Sequence, residues 1–102
     1  MAIIKGDEYK IPIVIKEGDT VITEELVNGV RVGLGTVVST YPDGTLTYKD
    51  GLWYFPLTQE ISYRLQAGSV PFQVQIKVGD QIFGSPEQQI SIQDCIIKGV
   101  WE

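Results

Sequence analysis

The chain has 102 residues, a formal net charge of −5, a single cysteine and no histidine. This length is close to the commonest domain size, so we expect one domain over residues 1–102. The basic residues are scattered and no apolar run approaches the ~20 residues of a membrane helix, so we expect neither nucleic acid nor a membrane as a partner. No signal peptide is visible, and we expect synthesis and folding in a reducing cytosol.

Alternation of apolar and polar residues predicts strands in the first third of the chain. Residues 9–16 carry an apolar side chain at every second position, which is typical of a half-buried strand. Pro12 cannot donate to a ladder of backbone hydrogen bonds, so this strand should lie at a sheet edge or carry a bulge. The turn-forming residues 17–19 end it. Residues 20–29 predict a short extended piece followed by a loop, and residues 30–34 predict a second strand.

Two turn signals divide residues 36–57. Residues 42–44, Pro-Asp-Gly, preset and cap a turn between flanks rich in Thr, Val and Tyr, and this pattern predicts a hairpin. Residues 49–51, Lys-Asp-Gly, predict a second turn that leads into the aromatic strand LWYFPL. In that strand Trp53 and Phe55 share one face, and we expect them to fill the core between two sheets.

A corner follows the aromatic strand. Thr58 is a helix-capping residue type, and Gly68 fits a helix end. A spacing of four, as on one helix face, is seen at Leu57, Ile61 and Leu65. A spacing of two, as in a strand, is seen at Ile61, Tyr63 and Leu65. We expect a short helical turn near residues 58–65 that carries the chain from one sheet to the other.

The last third of the chain predicts three more strands. Apolar residues alternate over residues 72–78, the turn Gly79-Asp80 leads into residues 81–84, and Ile90 and Ile92 should face inward from the last strand. Seven or eight short strands with no helical period of a dozen residues predict an all-β antiparallel sandwich. A closed barrel is the alternative.

The sequence has few of the residues that enzymes use for catalysis. Without histidine, Ser-His-Asp and Cys-His arrangements and His-based zinc sites are excluded, and one cysteine cannot form a thiolate zinc site. The glycine spacing does not match a phosphate-binding loop. Most aspartates adjoin a glycine in a predicted turn, where they have a conformational role. We therefore expect a protein that is not an enzyme, with no catalytic residue, no metal site and no cofactor.

Four stretches of the chain are similar to a known family of small Ig-like proteins, which are encoded among the structural genes of tailed phages and prophages of Gram-positive bacteria. These stretches are VRVGLGTVVSTYPDGTLTY, GLWYFPLTQEISYRLQAG, VPFQVQIKVGDQIFGS and ISIQDCIIKGV. The corner LTQE…LQAG also resembles the N-terminal domain of phage baseplate upper proteins. The resemblance runs from about Gly6 to Val100, and its motifs are structural, so they imply an Ig-like fold and a lineage. Baseplate upper proteins continue into further segments, whereas this sequence ends at Glu102.

The resemblance implies a structural or assembly protein of a phage or prophage particle, associated with the tail or baseplate. Its partners would be other phage structural proteins and further copies of itself. It would be cytoplasmic on synthesis and then part of the virion. Gln73 and Gln75, exposed on the predicted long strand, are candidate surface contacts, as are Tyr41, Tyr48 and Tyr54.

A carbohydrate-binding module is the alternative hypothesis. Exposed aromatic side chains on a sheet face stack on sugar rings, and Tyr41, Tyr48 and Tyr54 are the candidates for such a platform on cell-surface glycans. A third hypothesis is a cytosolic regulator or enzyme accessory encoded on a mobile element.

Overall fold

Short extended segments dominate the computed structural model, which describes residues 2–85, 87–97, 99 and 101. The strands are β1 (Ala2–Ile4), β2 (Tyr9–Ile13), β3 (Lys16–Glu17), β4 (Thr20–Val21), β5 (Gly29–Leu34), β6 (Val37–Tyr41), β7 (Thr47–Lys49), β8 (Leu52–Leu57), β9 (Gly68–Val78), β10 (Gln81–Gly84) and β11 (Gln88–Gln93). A 3-10 turn covers Glu24–Leu26, and the helix α1 covers Gln59–Arg64. Among the described residues, seven strands have four or more residues, and the others have two or three. The predicted all-β fold is confirmed.

Two sheets of unequal size form a sandwich-like arrangement. The 6-stranded sheet A has the order β1-β11-β9-β5-β6, with β10 also paired to β9, and the 3-stranded sheet B has the order β2-β8-β7. β3 and β4 pair as a small separate hairpin. The described pairs are antiparallel except β1 with β11, which is parallel and places Ile3 opposite Ile92. Sequence reasoning assigned no strand to β1, because three residues are too few for alternation to show.

The core lies between the inner faces of the two sheets. β8 contributes Trp53 and Phe55, both 0% exposed. The facing positions of sheet A are also buried and aliphatic: Val30, Val32, Leu34, Val70, Val74, Ile76, Ile90 and Ile92. The buried Trp53 indole N–H donates to the carbonyl oxygen of Ile22 at 3.1 Å, so its one polar atom is paired. The core assignment of both aromatic residues is confirmed.

The predicted hairpin around residues 42–44 does not form. β6 belongs to sheet A and β7 to sheet B, and the two strands do not pair with each other. The turn instead carries the chain across the sandwich, closed by the N–H of Leu46 donating to the carbonyl oxygen of Thr40 at 3.0 Å. Leu46 is buried and Tyr48 contacts Trp53, so burial of these side chains takes β7 to the second sheet. Turn chemistry specifies a change of direction but not the partner strand.

Other predicted turns and edges are confirmed. Asp50 and Gly51 join β7 to β8 with φ values of 52° and 84°, the left-handed pair that a tight two-residue hairpin requires. Gly79, with φ of 59°, joins β9 to β10. Within the described residues β2 pairs with β8 alone, so Pro12 lies on an edge strand as expected.

The helix α1 forms the predicted corner between the two sheets. Thr58 caps it, because its side-chain oxygen accepts from the N–H of Ile61 at 3.1 Å. Ser62 of α1 is fully buried, and its hydroxyl oxygen accepts from the Gly6 N–H at 2.9 Å while the hydroxyl lies 2.9 Å from the Asp7 carbonyl oxygen. The corner therefore holds the loop between β1 and β2, more than 50 residues away in the chain.

Replacing Trp53 by alanine should severely destabilise the protein. The change leaves a cavity and an unpaired Ile22 carbonyl, at a cost of about 3–5 kcal/mol, out of the roughly 5–15 kcal/mol available to a small domain. Trp101→Ala is the matched control, because this side chain is 88% exposed and its loss should cost under about 1 kcal/mol. Urea unfolding followed by far-ultraviolet circular dichroism measures both. Equal midpoints for the two variants would contradict the core assignment.

Ser62→Ala should destabilise the corner. The variant leaves the part-buried Gly6 N–H without its acceptor, and an unsatisfied buried donor typically costs about 1–3 kcal/mol. Ser91→Ala, at an exposed position of β11, is the control and should change the unfolding free energy by less than about 0.5 kcal/mol. Chemical unfolding measures both variants, and hydrogen exchange should show faster exchange of the Gly6 amide only in Ser62→Ala. Unchanged exchange at Gly6 would refute the proposed anchoring.

Candidate functional site

Two of the tyrosines singled out in the sequence lie against the core tryptophan. The ring centroid of Tyr41 is 4.9 Å from that of Trp53 in an edge-to-face contact, and that of Tyr48 is 4.7 Å away with tilted planes. The Tyr41 hydroxyl donates to a carboxylate oxygen of Glu24 at 2.9 Å. This hydrogen bond, followed by partial desolvation and the Glu24 charge, raises the pKa of Tyr41 above its ordinary value of 10.0. Both rings therefore have structural contacts inside the molecule.

Tyr54 lies on the other face of β8. It is opposite Pro12 on one side and Thr47 on the other, and it is half-buried on the outer face of sheet B. Neighbouring residues of a strand point to opposite faces, so Tyr54 cannot share a surface with Trp53 and the tyrosines packed on it. The structure therefore does not bring the three candidate tyrosines together on one platform.

The two candidate glutamines lie on the outer face of sheet A. Gln73 is exposed, and its amide donates to the Ser85 carbonyl oxygen at 2.8 Å. Gln75 is half-buried and lies opposite Arg31 of β5. The inner and outer residues of β9 alternate, so this polar outer face lies on the opposite side of the sheet from the core. These glutamines share a surface with each other but with none of the tyrosines that pack on Trp53.

An apolar groove opens along the side of the sandwich. Sheet B has three strands against six in sheet A, so β2 ends sheet B before the inner face of β9, β10 and β11 is fully covered. The groove has a volume of about 910 Å³, and its apolar walls include Ile11, Ile13, Ile15, Val74, Ile76 and Ile90. Phe83 lies at its rim with 43% of its surface exposed, and Lys16 and Glu17 supply charges at one end. The lining also includes the polar residues Ser85, Gln88 and Gln89. A groove with an apolar base is suited to accepting apolar side chains.

The unpaired edge of β2 borders this groove. Antiparallel neighbours alternate between pairs that exchange backbone hydrogen bonds and pairs that do not. Pro12 lies opposite Tyr54, and Lys10 lies opposite Pro56. Proline has no N–H, so neither pair exchanges hydrogen bonds, and the backbone groups of Lys10 and Pro12 point to the free edge. Because Pro12 offers a carbonyl but no donor there, this edge is a poor template for an added strand.

A second apolar feature is the C-terminal segment, of which the structure describes residues 94–97, 99 and 101. Gln59 of α1 holds its backbone at two atoms: the side-chain oxygen accepts from the Trp101 N–H at 2.8 Å, and the side-chain amide donates to the Trp101 carbonyl at 2.7 Å. The Tyr63 hydroxyl donates to the Gly99 carbonyl at 2.8 Å. Yet the side chains of Ile96 and Trp101 are 97% and 88% exposed. The backbone of Gly99 and Trp101 is therefore held by α1, while the side chains of Ile96, Ile97 and Trp101 face solvent.

Other kinds of site lack support in the described part of the chain. No group of three or more carboxylate or cysteine side chains is placed to hold a metal ion there. Nor does any helix within the described ranges combine the length and apolar character needed to cross a bilayer. Comparison with protein-family models, curated proteins and solved structures finds no match to this chain. The function must therefore be inferred from the surface of the molecule itself.

Sequence reasoning identified neither the groove nor the contacts of the C-terminal segment with α1. The groove combines residues from β2, β9, β10 and β11, which only the tertiary fold brings together. Two signals were present nonetheless. Pro12 indicated an edge strand. Ile96 and Ile97 are apolar residues that follow the last predicted strand and belong to no predicted element. Neither signal by itself identifies a binding surface.

Tyr41→Phe should reduce stability at neutral pH by an amount that disappears at high pH. The pKa of Tyr41 is raised in the folded protein, so its hydrogen bond to Glu24 stabilises the fold below the unfolded pKa of about 10 and is lost as pH rises through the folded pKa. Phenylalanine keeps the ring contact with Trp53 but not the hydrogen bond. Urea midpoints of the two proteins should differ at pH 8 and converge above pH 10. A difference that stays constant with pH would exclude this hydrogen bond as its cause.

Proposed function

We propose that this chain is a non-enzymatic structural or assembly protein of a phage or prophage particle, associated with its tail or baseplate, that acts through protein–protein contacts. The observation that carries the proposal is the apolar groove between β2 and the inner face of sheet A. A groove whose base is lined by apolar side chains can accept apolar groups of another protein.

The assignment to a phage particle is supported by the sequence resemblance described above. That resemblance covers essentially the whole chain and includes the corner LTQE…LQAG, which forms the capped helix α1 and its exit into β9. The small Ig-like proteins of that family are encoded among the structural genes of tailed phages. By this proposal the partners are other phage structural proteins, and the protein moves from the cytoplasm into the virion.

The carbohydrate-binding alternative has less support from the geometry. Of its three tyrosines, Tyr41 and Tyr48 pack on Trp53, and Tyr54 alone lies on the outer face of sheet B. A sugar platform works by presenting several flat apolar faces to one ligand. A single half-buried tyrosine offers one such face, so we favour the protein-binding function.

Analysis of purified particles tests the proposal. Particles induced from the host strain that encodes this chain should contain the protein, detected by mass spectrometry after density-gradient purification. Deletion of the gene should lower the yield of tailed particles, and expression of the wild-type chain should restore it. Absence from particles together with normal assembly after deletion would refute the proposed function.

Complementation with matched variants links assembly to the groove. Phe83→Asp places a charge at the groove rim and should restore assembly poorly, because an apolar partner then meets an unpaired charge. Ile82→Asp changes the adjacent residue, which is 55% exposed and points to the other face of β10, so it should complement as well as wild type. Equal complementation by both variants would remove the groove from the proposal. Glycan-array binding that is lost in Tyr54→Ala would favour the carbohydrate alternative instead.

A further inference from the structure

We propose that the C-terminal segment of one copy docks into the groove of a second copy, so that the protein associates head to tail with itself. This inference rests on one part of the proposed function, namely that the protein acts through protein–protein contacts. The occupant of the groove is then the C-terminal segment of another copy, with Ile97 and Trp101 as the inserted side chains. The interface would therefore join two surfaces of the same protein. One is formed by the most exposed apolar side chains, those of the C-terminal segment, and the other is the open apolar groove.

The C-terminal segment is prepared for binding by its own contacts. Two hydrogen bonds from Gln59 and one from Tyr63 hold its backbone, at 2.7–2.8 Å. A segment already held in place loses less conformational freedom on binding than a free chain does. Meanwhile Trp101 is 88% and Ile97 73% exposed, so the apolar side chains remain available to a partner. The hydrogen bonds use backbone atoms and leave these side chains free to insert.

The groove favours inserted side chains over an added strand. Its walls are aliphatic, with Ile11, Val74 and Ile90 almost fully buried beneath the opening. At the free edge of β2, Pro12 lacks the N–H that a neighbouring strand would need. An occupant therefore gains little from backbone pairing and more from placing apolar groups between the sheets. The exposed isoleucines and tryptophan of the C-terminal segment meet that requirement.

The two surfaces lie at different places on the domain. The C-terminal segment follows the end of β11 and contacts α1, which follows the end of β8 and adjoins the start of β2. The groove instead extends to Ile90 near the start of β11, to Phe83 and Ser85 after the β9–β10 turn, and to Glu17 beyond the end of β2. A contact between two different patches is heterologous, and its repetition gives a ring or an open filament. Such assemblies suit a component of a particle.

The exposed apolar area of the C-terminal segment fits a small interface, so the association should be weak. Trp101 is 88% exposed and presents roughly 130–220 Å², because one aromatic residue buries about 150–250 Å² when fully covered, and Ile96 and Ile97 add to this area. A standard interface buries about 800 Å² per partner. The backbone of the segment supplies part of the remainder. We therefore expect concentration-dependent association, and since each copy carries a net charge of −5, added salt should strengthen it.

Sedimentation equilibrium of the full chain tests the inference, from about 1 μM to about 1 mM and with reductant present so that Cys95 forms no disulfide. The average mass should rise with concentration for the wild type. Trp101→Asp and Phe83→Asp should each weaken association by about tenfold or more. Ile82→Asp, exposed but outside the groove walls named above, should leave it unchanged. Circular dichroism checks that every variant is folded.

Mixing the two impaired variants gives the decisive result. Trp101→Asp keeps an intact groove, and Phe83→Asp keeps an intact C-terminal segment, so each pair of unlike copies retains one functional contact. The mixture should form 1:1 dimers that do not grow further, whereas each variant alone should associate at least about tenfold more weakly than the wild type. An interface made by the same patch on both copies would not give this rescue, and its absence overturns the inference.

Three other outcomes would also overturn it. The first is a wild-type chain that stays monomeric over the whole concentration range. The second is a dimer that neither variant weakens. The third is a monomer whose Trp101 is protected from acrylamide quenching, since the segment would then occupy its own groove. A monomeric protein that is nonetheless found in purified particles would refute self-association and leave the proposed function standing.

Discussion

The structure depends above all on the burial of Trp53 between the two sheets. Its ring is fully buried, its indole N–H donates to the carbonyl of Ile22, and its faces and edges meet Tyr41 and Tyr48. These contacts come from β6 in sheet A, from β7 in sheet B and from the connection after the β3–β4 hairpin. One side chain therefore contacts both sheets and the connection that follows the β3–β4 hairpin. A large aromatic ring has the area to do so, and its single polar atom is satisfied.

Because aromatic residues are used in the core, few of them remain on the surface to form a binding site. With Tyr41 and Tyr48 packed on Trp53, the surface offers no cluster of aromatic rings among the described residues that an array of sugars would need. The apolar surface that remains comes from the mismatch between sheets of six and three strands. That mismatch opens the groove beside β2, where Pro12 discourages further strand pairing. The protein-binding role that we propose would use a groove created by the same packing that stabilises the fold.

Much of the fold could be predicted because its signals are local. Alternation identified the inward side chains of β8, β9 and β11, and the Asp50-Gly51 turn and the Thr58 cap were recognised from residue type alone. The candidate site could not be predicted in the same way. Of the residues chosen from the sequence, Tyr54 and Gln73 lie on the outer faces of different sheets, whereas Tyr41 and Tyr48 pack on Trp53. A groove has no sequence signature, because the apolar residues that line it alternate in the sequence in the same way as residues of the closed core.

The sequence by itself determined that this chain forms short strands with one buried face, where it turns, and which chemistry it lacks. These properties depend on neighbours within about four residues, through side-chain alternation, φ preference and capping. The tertiary structure decided which strands pair. It separated β6 from β7, placed β1 parallel to β11 and joined Ser62 to Gly6 across 56 positions. It also left β2 at an open edge. Such choices depend on the burial of side chains distant in the chain, and local pattern cannot distinguish partners that bury similar apolar faces.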